Sequence, residues 1–173
     1  TFMPKPLEGV QGSGMHVHLS LFRGDENAFY DADDPHNLSP VAKSFMAGLL
    51  RHAAEITAIT NQTINSYKRL VPGFEAPVHI SWARNNRSGL IRVPIPKRGN
   101  ASATRIEYRS PDPACNPYLA FSVLLAAGMK GIAEGYELEP EAESNLFELT
   151  DAQLGALGIG QLPQSLSESL KVM

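Results

Sequence analysis

Gly12-Ser13-Gly14-Met15-His16-Val17-His18-Leu19-Ser20 sets His16, His18 and Ser20 at alternating positions directly after two glycines. In an extended strand these three side chains share one face, while Met15, Val17 and Leu19 share the other. The stretch therefore predicts a half-buried strand, fed by a glycine turn, whose polar face is available for chemistry. Upstream, Pro4, Pro6 and Gly9 mark residues 1–11 as an extended entry. Downstream, the strand is expected to cover 15–22. Residues 23–37, rich in Asp, Asn and Gly, read as a surface loop with a short extended piece at 28–30.

Ser39-Pro40 is an N-cap followed by a first-turn proline, and Val41, Phe45, Leu49, Ala53, Ile56 and Ile59 then recur at helical spacing. One long helix over 40–60 follows from that pattern. Pro72, Gly73 and Pro77 make 61–77 a loop. Strands are expected at 78–83 and 88–93, separated by a turn at Asn85 and Asn86, with a flexible loop over 97–103. Residues 104–110 return to alternation, with Arg105, Glu107 and Arg109 on one face and Ile106 and Tyr108 on the other. Asn116-Pro117 repeats the cap signal and opens an apolar helix to about residue 133, expected to be buried on most sides. Thr150 with Gln153 resembles a capping box for a short helix, and 162–170 is a candidate for another. The expected fold class is α+β: a curved, mostly antiparallel sheet backed by helices. Residues 1–133 form the main unit, and 134–173 form an acidic linker with short helices of the same domain.

The composition, 43% hydrophobic and 19% charged over 173 residues, suits one globular domain. The longest apolar run, 118–129, is far shorter than the roughly 20 residues of a bilayer span, so no membrane segment is expected. The lone Cys115 makes no internal disulfide, and a reducing cytoplasm is the default setting. The net charge of −3 hides a segregation. Arg84, Arg87, Arg92, Lys97, Arg98, Arg105 and Arg109 face a single acid, Glu107, whereas 134–151 contains acids and no base. Basic residues clustered in an acidic protein point to a small anionic ligand and away from nucleic acid; the bland alternative is a solvated surface with chance clustering.

His16 and His18 on one strand face suit either a divalent metal, a phosphate, or simple solvent exposure. Glu107 favours the metal reading if its strand lies beside the first, since carboxylate plus imidazole suits Mg²⁺ or Mn²⁺. The Arg105-Glu107-Arg109 face also reads as a salt-bridge ladder, but the arginines outnumber their acidic neighbours. Phosphates or a substrate carboxylate would pair the excess, which suggests phosphoryl transfer. The loop Asn65-Ser66-Tyr67-Lys68-Arg69-Leu70-Val71-Pro72-Gly73-Phe74-Glu75-Ala76-Pro77 is either a lid carrying Glu75 as a base or an exposed connection.

Four stretches in order, GSGMHVHLS (12–20), NSYKRLVPGFEAPV (65–78), NRSGLIRVP (86–94) and RIEYRSPDPACNPYLAF (105–121), resemble class I glutamine synthetases of the bacterial and archaeal type. The resemblance spans nearly the whole chain. It implies an ATP-dependent ligase that phosphorylates the side-chain carboxylate of glutamate, after which ammonia displaces phosphate from γ-glutamyl phosphate. By that resemblance His16 and Glu107 are metal ligands, with Mg²⁺ or Mn²⁺ as the ion. His18, Ser20, Arg92 and Arg105 contact ATP; Gly12, Arg69 and Arg109 hold glutamate. Glu75 is the flap glutamate that deprotonates ammonium, and Arg87 stabilises the transferring phosphoryl group.

Three departures stand out. Gln11 replaces the family's common Asn, a lysine in the loop ahead of Glu107 has no clear counterpart, and Phe147 stands where adenylylation-regulated members carry Tyr, so that modification is expected to be absent. The family's N-terminal domain and further metal-binding glutamates would precede Thr1, and a ring-docking segment would follow Met173. The resemblance thus implies a homo-oligomeric (dodecameric) parent and an isolated piece that is catalytically inactive. The alternatives are γ-glutamyl ligation of a polyamine or another amine, and a non-catalytic glutamine synthetase-like module.

Overall fold

The computed structural model describes residues 2–86, 88–95, 100–142 and 146–173. Its elements are β1 (Val17–Leu19), β2 (Phe22–Arg23), β3 (Glu26–Asn27), α1 (Pro40–Arg51), α2 (Ala53–Thr60), α3 (Ile64–Arg69), β4 (His79–Ala83), β5 (Gly89–Arg92), β6 (Ile106–Tyr108), α4 (Pro117–Glu134), α5 (Asp151–Ala156), β7 (Gly160–Gln161) and α6 (Leu166–Val172). Single 3₁₀ turns sit at Ala101–Ala103 and Leu146–Glu148. The main sheet runs β1-β6-β5-β4-β7, and β2 and β3 form a separate hairpin. The fold is α+β. Among the described residues no helix is long and apolar enough to cross a membrane.

The two cap signals form as expected. Ser39 accepts from the Ala42 amide, and Asn116 accepts from those of Tyr118 and Leu119, each ahead of a first-turn proline. α1 packs on α4 at unusually close range: a Cβ on Gly48 would stand 2.3 Å from the Ala127 carbonyl oxygen, so only glycine fits there. Phe29, Phe45, Met46 and Leu49 are fully buried in one core cluster with the sheet residues Leu90, Ile91, Ile106 and Tyr108. This core joins α1 and α4 to the sheet.

Several local expectations are corrected. The helix over 40–60 breaks at His52 (φ −97°, ψ 8°), which ends α1 and precedes α2. The apolar spacing runs on through the break because both helices bury the same face, so periodicity could not reveal it. Within 61–77 lies α3, held by a reciprocal Thr63–Ser66 capping box. The opening strand ends at Leu19, before Phe22 turns into the hairpin. The extended piece near 28–30 is a single bridge from Tyr30 to Leu38.

The turn after β4 leads to a parallel pairing with β5, pairing His79 with Gly89 and Ala83 with Arg92 around an irregularity. The other pairs in the main sheet are antiparallel. α4 is not buried on most sides: Ala120, Leu124, Ala127 and Gly131 face the core, whereas Tyr118 is 82% exposed and Phe121, Leu125 and Met129 are also open. From the acidic stretch, the Ala142 amide donates to Trp82 O, and Trp82 Nε1 donates to Glu139 O. β7 then pairs with β4 at the sheet edge.

Candidate active site

β6 lies between β1 and β5, and the register aligns His18, Glu107 and Arg92 as directly paired positions across three strands. Paired residues project to the same face, so a row of imidazole, carboxylate and guanidinium follows from register alone. Alternation in β1 is as expected: Val17 is buried, whereas His16 and His18 are exposed. Glu107, only 5% exposed, is the centre of the row. Its Oε1 lies 2.9 Å from His16 Nδ1 and 3.9 Å from His18 Nε2, and its Oε2 lies 2.9 Å from Arg92 Nε. Arg105 Nε donates to His18 Nδ1 at 3.2 Å. Ser20 is exposed just past the end of β1.

Partial desolvation at the cavity wall, reinforced by the Arg109 charge, holds the His16 imidazole below its ordinary value of 6.5 against the opposing pull of Glu107. The ring is therefore neutral at pH 7. With Nδ1–H assigned as donor to Glu107, Nε2 keeps the lone pair a metal needs. Glu107 Oε2 is buried and, despite the nearby Arg92, accepts no aligned hydrogen bond. One neutral imidazole plus one under-satisfied carboxylate fits a hard divalent cation. Among the described residues no group of three or more His, Cys, Asp and Glu side chains could hold one.

Beside the row lies a cavity of about 180 Å³ lined by Gln11, Gly12, Gly14, His16, Arg69, Phe74, Glu75, Ala76 and Arg109. Arg69 comes from the last turn of α3, and its Nη1 and Nη2 donate to the carbonyls of Ser110 (2.6 Å) and Arg109 (3.1 Å). Burial brings Arg69 down to about 10, with Asp112 opposing and Arg109 adding to the shift, so the group remains charged at pH 7. Arg109, 5% exposed, donates from Nη1 to Gly89 O at 3.2 Å and from Nη2 to Glu75 O at 3.4 Å. Glu75 adopts φ 61°, a left-handed conformation uncommon for a residue with a side chain. The glycines of the opening stretch make room for Arg69: a Cβ on Gly14 would lie 2.4 Å from its Nη2.

The structure thus brings His16, His18, Glu107, Arg92 and Arg105 into one row, and Gly12, Arg69, Glu75 and Arg109 into the adjoining cavity. Arg87, Lys97, Arg98 and Asn145 lie outside the described residues. The lining residues Gly14 and Phe74 were not singled out from sequence as site residues, although both sit inside the quoted motifs.

The family model for the catalytic domain of glutamine synthetase matches residues 1–173. The chain belongs to the glutamine synthetase family. It is 57% identical to the glutamine synthetase of Thermotoga maritima over 171 residues, which is 99% of this chain and 38% of that protein. The glutamine synthetase of Mycobacterium tuberculosis is 56% identical over 173 residues, covering 100% of this chain and 39% of the relative. That of Methanosarcina mazei is 53% identical over 173 residues, with 100% and 38% covered. The chain therefore spans about two fifths of the length of these glutamine synthetases.

Proposed function

We infer that this chain forms the glutamate-holding and metal-holding wall of a ligase site that joins ammonia to glutamate at the expense of ATP. The observation that carries this reading is the cavity of about 180 Å³ into which two buried guanidiniums, Arg69 and Arg109, converge with Glu75 and His16. Drug-sized ligands need roughly 300 Å³ or more, so this space suits one amino acid. Two arginines anchored through backbone carbonyls offer a fixed cationic end for its carboxylate.

Arg69 and Arg109 orient glutamate, with Gly12 and Gly14 letting the ligand approach the backbone. His16 and Glu107 are the residues that would hold Mg²⁺ or Mn²⁺, and Arg92, Arg105, His18 and Ser20 line the nucleotide side, with Arg87 assigned to the transferring phosphoryl group. When bound there, ATP would supply the phosphoryl group that turns a carboxylate oxygen into a leaving group, and a cation held by His16 and Glu107 would screen the phosphate charge. Glu75, at the cavity mouth, accepts the proton of ammonium, and its segment shields the activated carboxylate from water. Residues 1–133 and 134–173 act as one catalytic-domain unit, supported by β7 joining the sheet beside β4. The exposed apolar stripe of α4 suits a further protein surface packed on it, and the dodecameric assembly rests on the family resemblance alone. The buried, unpaired Cys115 suits a reducing cytoplasm.

The test transplants residues 1–173 into the Thermotoga maritima enzyme in place of the stretch they match. Glutamine formed from ammonium, and not a γ-glutamyl amide from putrescine, is expected. A transplant that makes no glutamine from ammonium while folding normally ends this reading, and putrescine turnover would favour the larger-amine alternative. The isolated chain is expected to release no phosphate from ATP in the presence of glutamate.

A further inference from the structure

Arg69 is held from behind by a buried polar cluster that the proposed reaction does not itself use. The Ser110 carbonyl that accepts from Arg69 Nη1 at 2.6 Å also accepts from Asn61 Nδ2 at 2.8 Å. The same Asn61 amide reaches Asp112 Oδ2 at 3.2 Å, and its Oδ1 accepts from Thr60 Oγ1 at 2.9 Å. Asp112 is tied in turn, its Oδ1 accepting from the Ala114 amide at 3.0 Å and its own amide donating to Thr60 O. Asn61, Ser110 and Asp112 are all 0% exposed.

A carbonyl shared between a guanidinium and a doubly anchored amide has little freedom to tilt, so the Nη1 of Arg69 meets an acceptor of fixed direction. The second acceptor, Arg109 O, belongs to the same short segment, and the Arg109 side chain lines the same cavity. One segment, 109–112, therefore places both cationic groups, and Asn61 ties that segment to the end of α2. Tying the 109–112 segment to the end of α2 would need no contact with Arg69, yet both donors fall on the same oxygen.

We propose that Asn61, anchored by Thr60 and Asp112, is a positioning residue that orients Arg69 through the shared Ser110 carbonyl and so sets affinity for the substrate carboxylate. This rests on the functional reading given above.

The experiment uses the transplanted Thermotoga maritima enzyme with Asn61→Leu, which keeps the volume and removes the hydrogen bonds, and Asn61→Ser, which keeps a small donor. KM for glutamate is expected to rise at least fivefold for Asn61→Leu and by a smaller factor for Asn61→Ser, with KM for ATP within twofold of the unsubstituted enzyme. A lowered melting temperature with both KM values unchanged, or with both raised equally, overturns the proposal. Should Asn61→Leu fail to fold, an unchanged glutamate KM in Asn61→Ser does the same. If the unsubstituted transplant forms no glutamine, the functional reading fails by itself. Calorimetric glutamate affinity of the same variants then decides the role of Asn61, and no glutamate binding at all would overturn it too.

Discussion

His16 Nδ1 and Glu107 Oε1 stand 2.9 Å apart although 91 positions separate them in the chain. The contact exists because β1 and β6 are neighbours in register, and it orients a neutral imidazole beside a buried carboxylate. In the transplanted enzyme, Glu107→Gln keeps the shape and removes the charge. Mn²⁺ affinity is expected to fall at least tenfold and turnover at least a hundredfold, both read by calorimetry and by phosphate release. Unaltered Mn²⁺ affinity would remove Glu107 from the metal shell.

Glu75 at φ 61° pays a conformational cost that glycine does not. A left-handed residue with a side chain costs about 1–2 kcal/mol, against about 0.5–1 kcal/mol of extra chain entropy lost by glycine. Glu75→Gly is therefore expected to leave stability in urea unchanged or raised by up to about 1 kcal/mol while turnover by the transplanted enzyme collapses. A loss above about 1 kcal/mol would show that the carboxylate is structural.

Gly48 allows α1 and α4 to touch backbone to backbone, with no space for a Cβ against the Ala127 carbonyl. Gly48→Ala must push the helices apart, and a loss of about 1–3 kcal/mol in urea unfolding is expected, outweighing the helix propensity gained by alanine. An alanine variant as stable as the parent would contradict the observed spacing.

Cys115 is buried, and that burial, with the Asp112 charge, pushes its thiol up to about 11 from 9.0. Iodoacetamide at pH 8 should label the folded chain far more slowly than the urea-unfolded chain, by about 100-fold from thiolate fraction alone. Between pH 9 and about 11 the unfolded chain ionises this thiol while the folded chain does not, so its contribution to stability falls with rising pH there. Equal labelling rates in the two states would show that the site is open.

What could be read from sequence is what neighbours along the chain decide. The alternation of residues 16–20, the Ser39-Pro40 and Asn116-Pro117 caps and the Thr150–Gln153 box all formed, since each depends on contacts within a few residues. The motifs also carried the family, and with it the roles expected of His16, Glu75, Arg69 and Arg109. The Thr63–Ser66 box of α3 was not legible, because Ser66 stands where the sequence signature has Glu or Gln.

Pairing was decided elsewhere. Nothing local distinguishes a parallel β4–β5 pair from a hairpin, or shows that a helix bends at His52 when its apolar spacing continues. Burial of Glu107 in a central strand, and of Arg109 just past its end against Gly89 and Glu75, depends on segments distant in the chain, and the anchoring of Arg69 follows from Asn61 and Ser110 meeting across 49 positions. The sequence by itself determined which side chains could hold a metal, a carboxylate or a phosphate, because that is a property of residue type and local alternation. Only the tertiary structure decided that His16 meets Glu107 and that Arg69 and Arg109 share one cavity. Strand register and core packing bring distant segments together, and neither is encoded in any single stretch of chain.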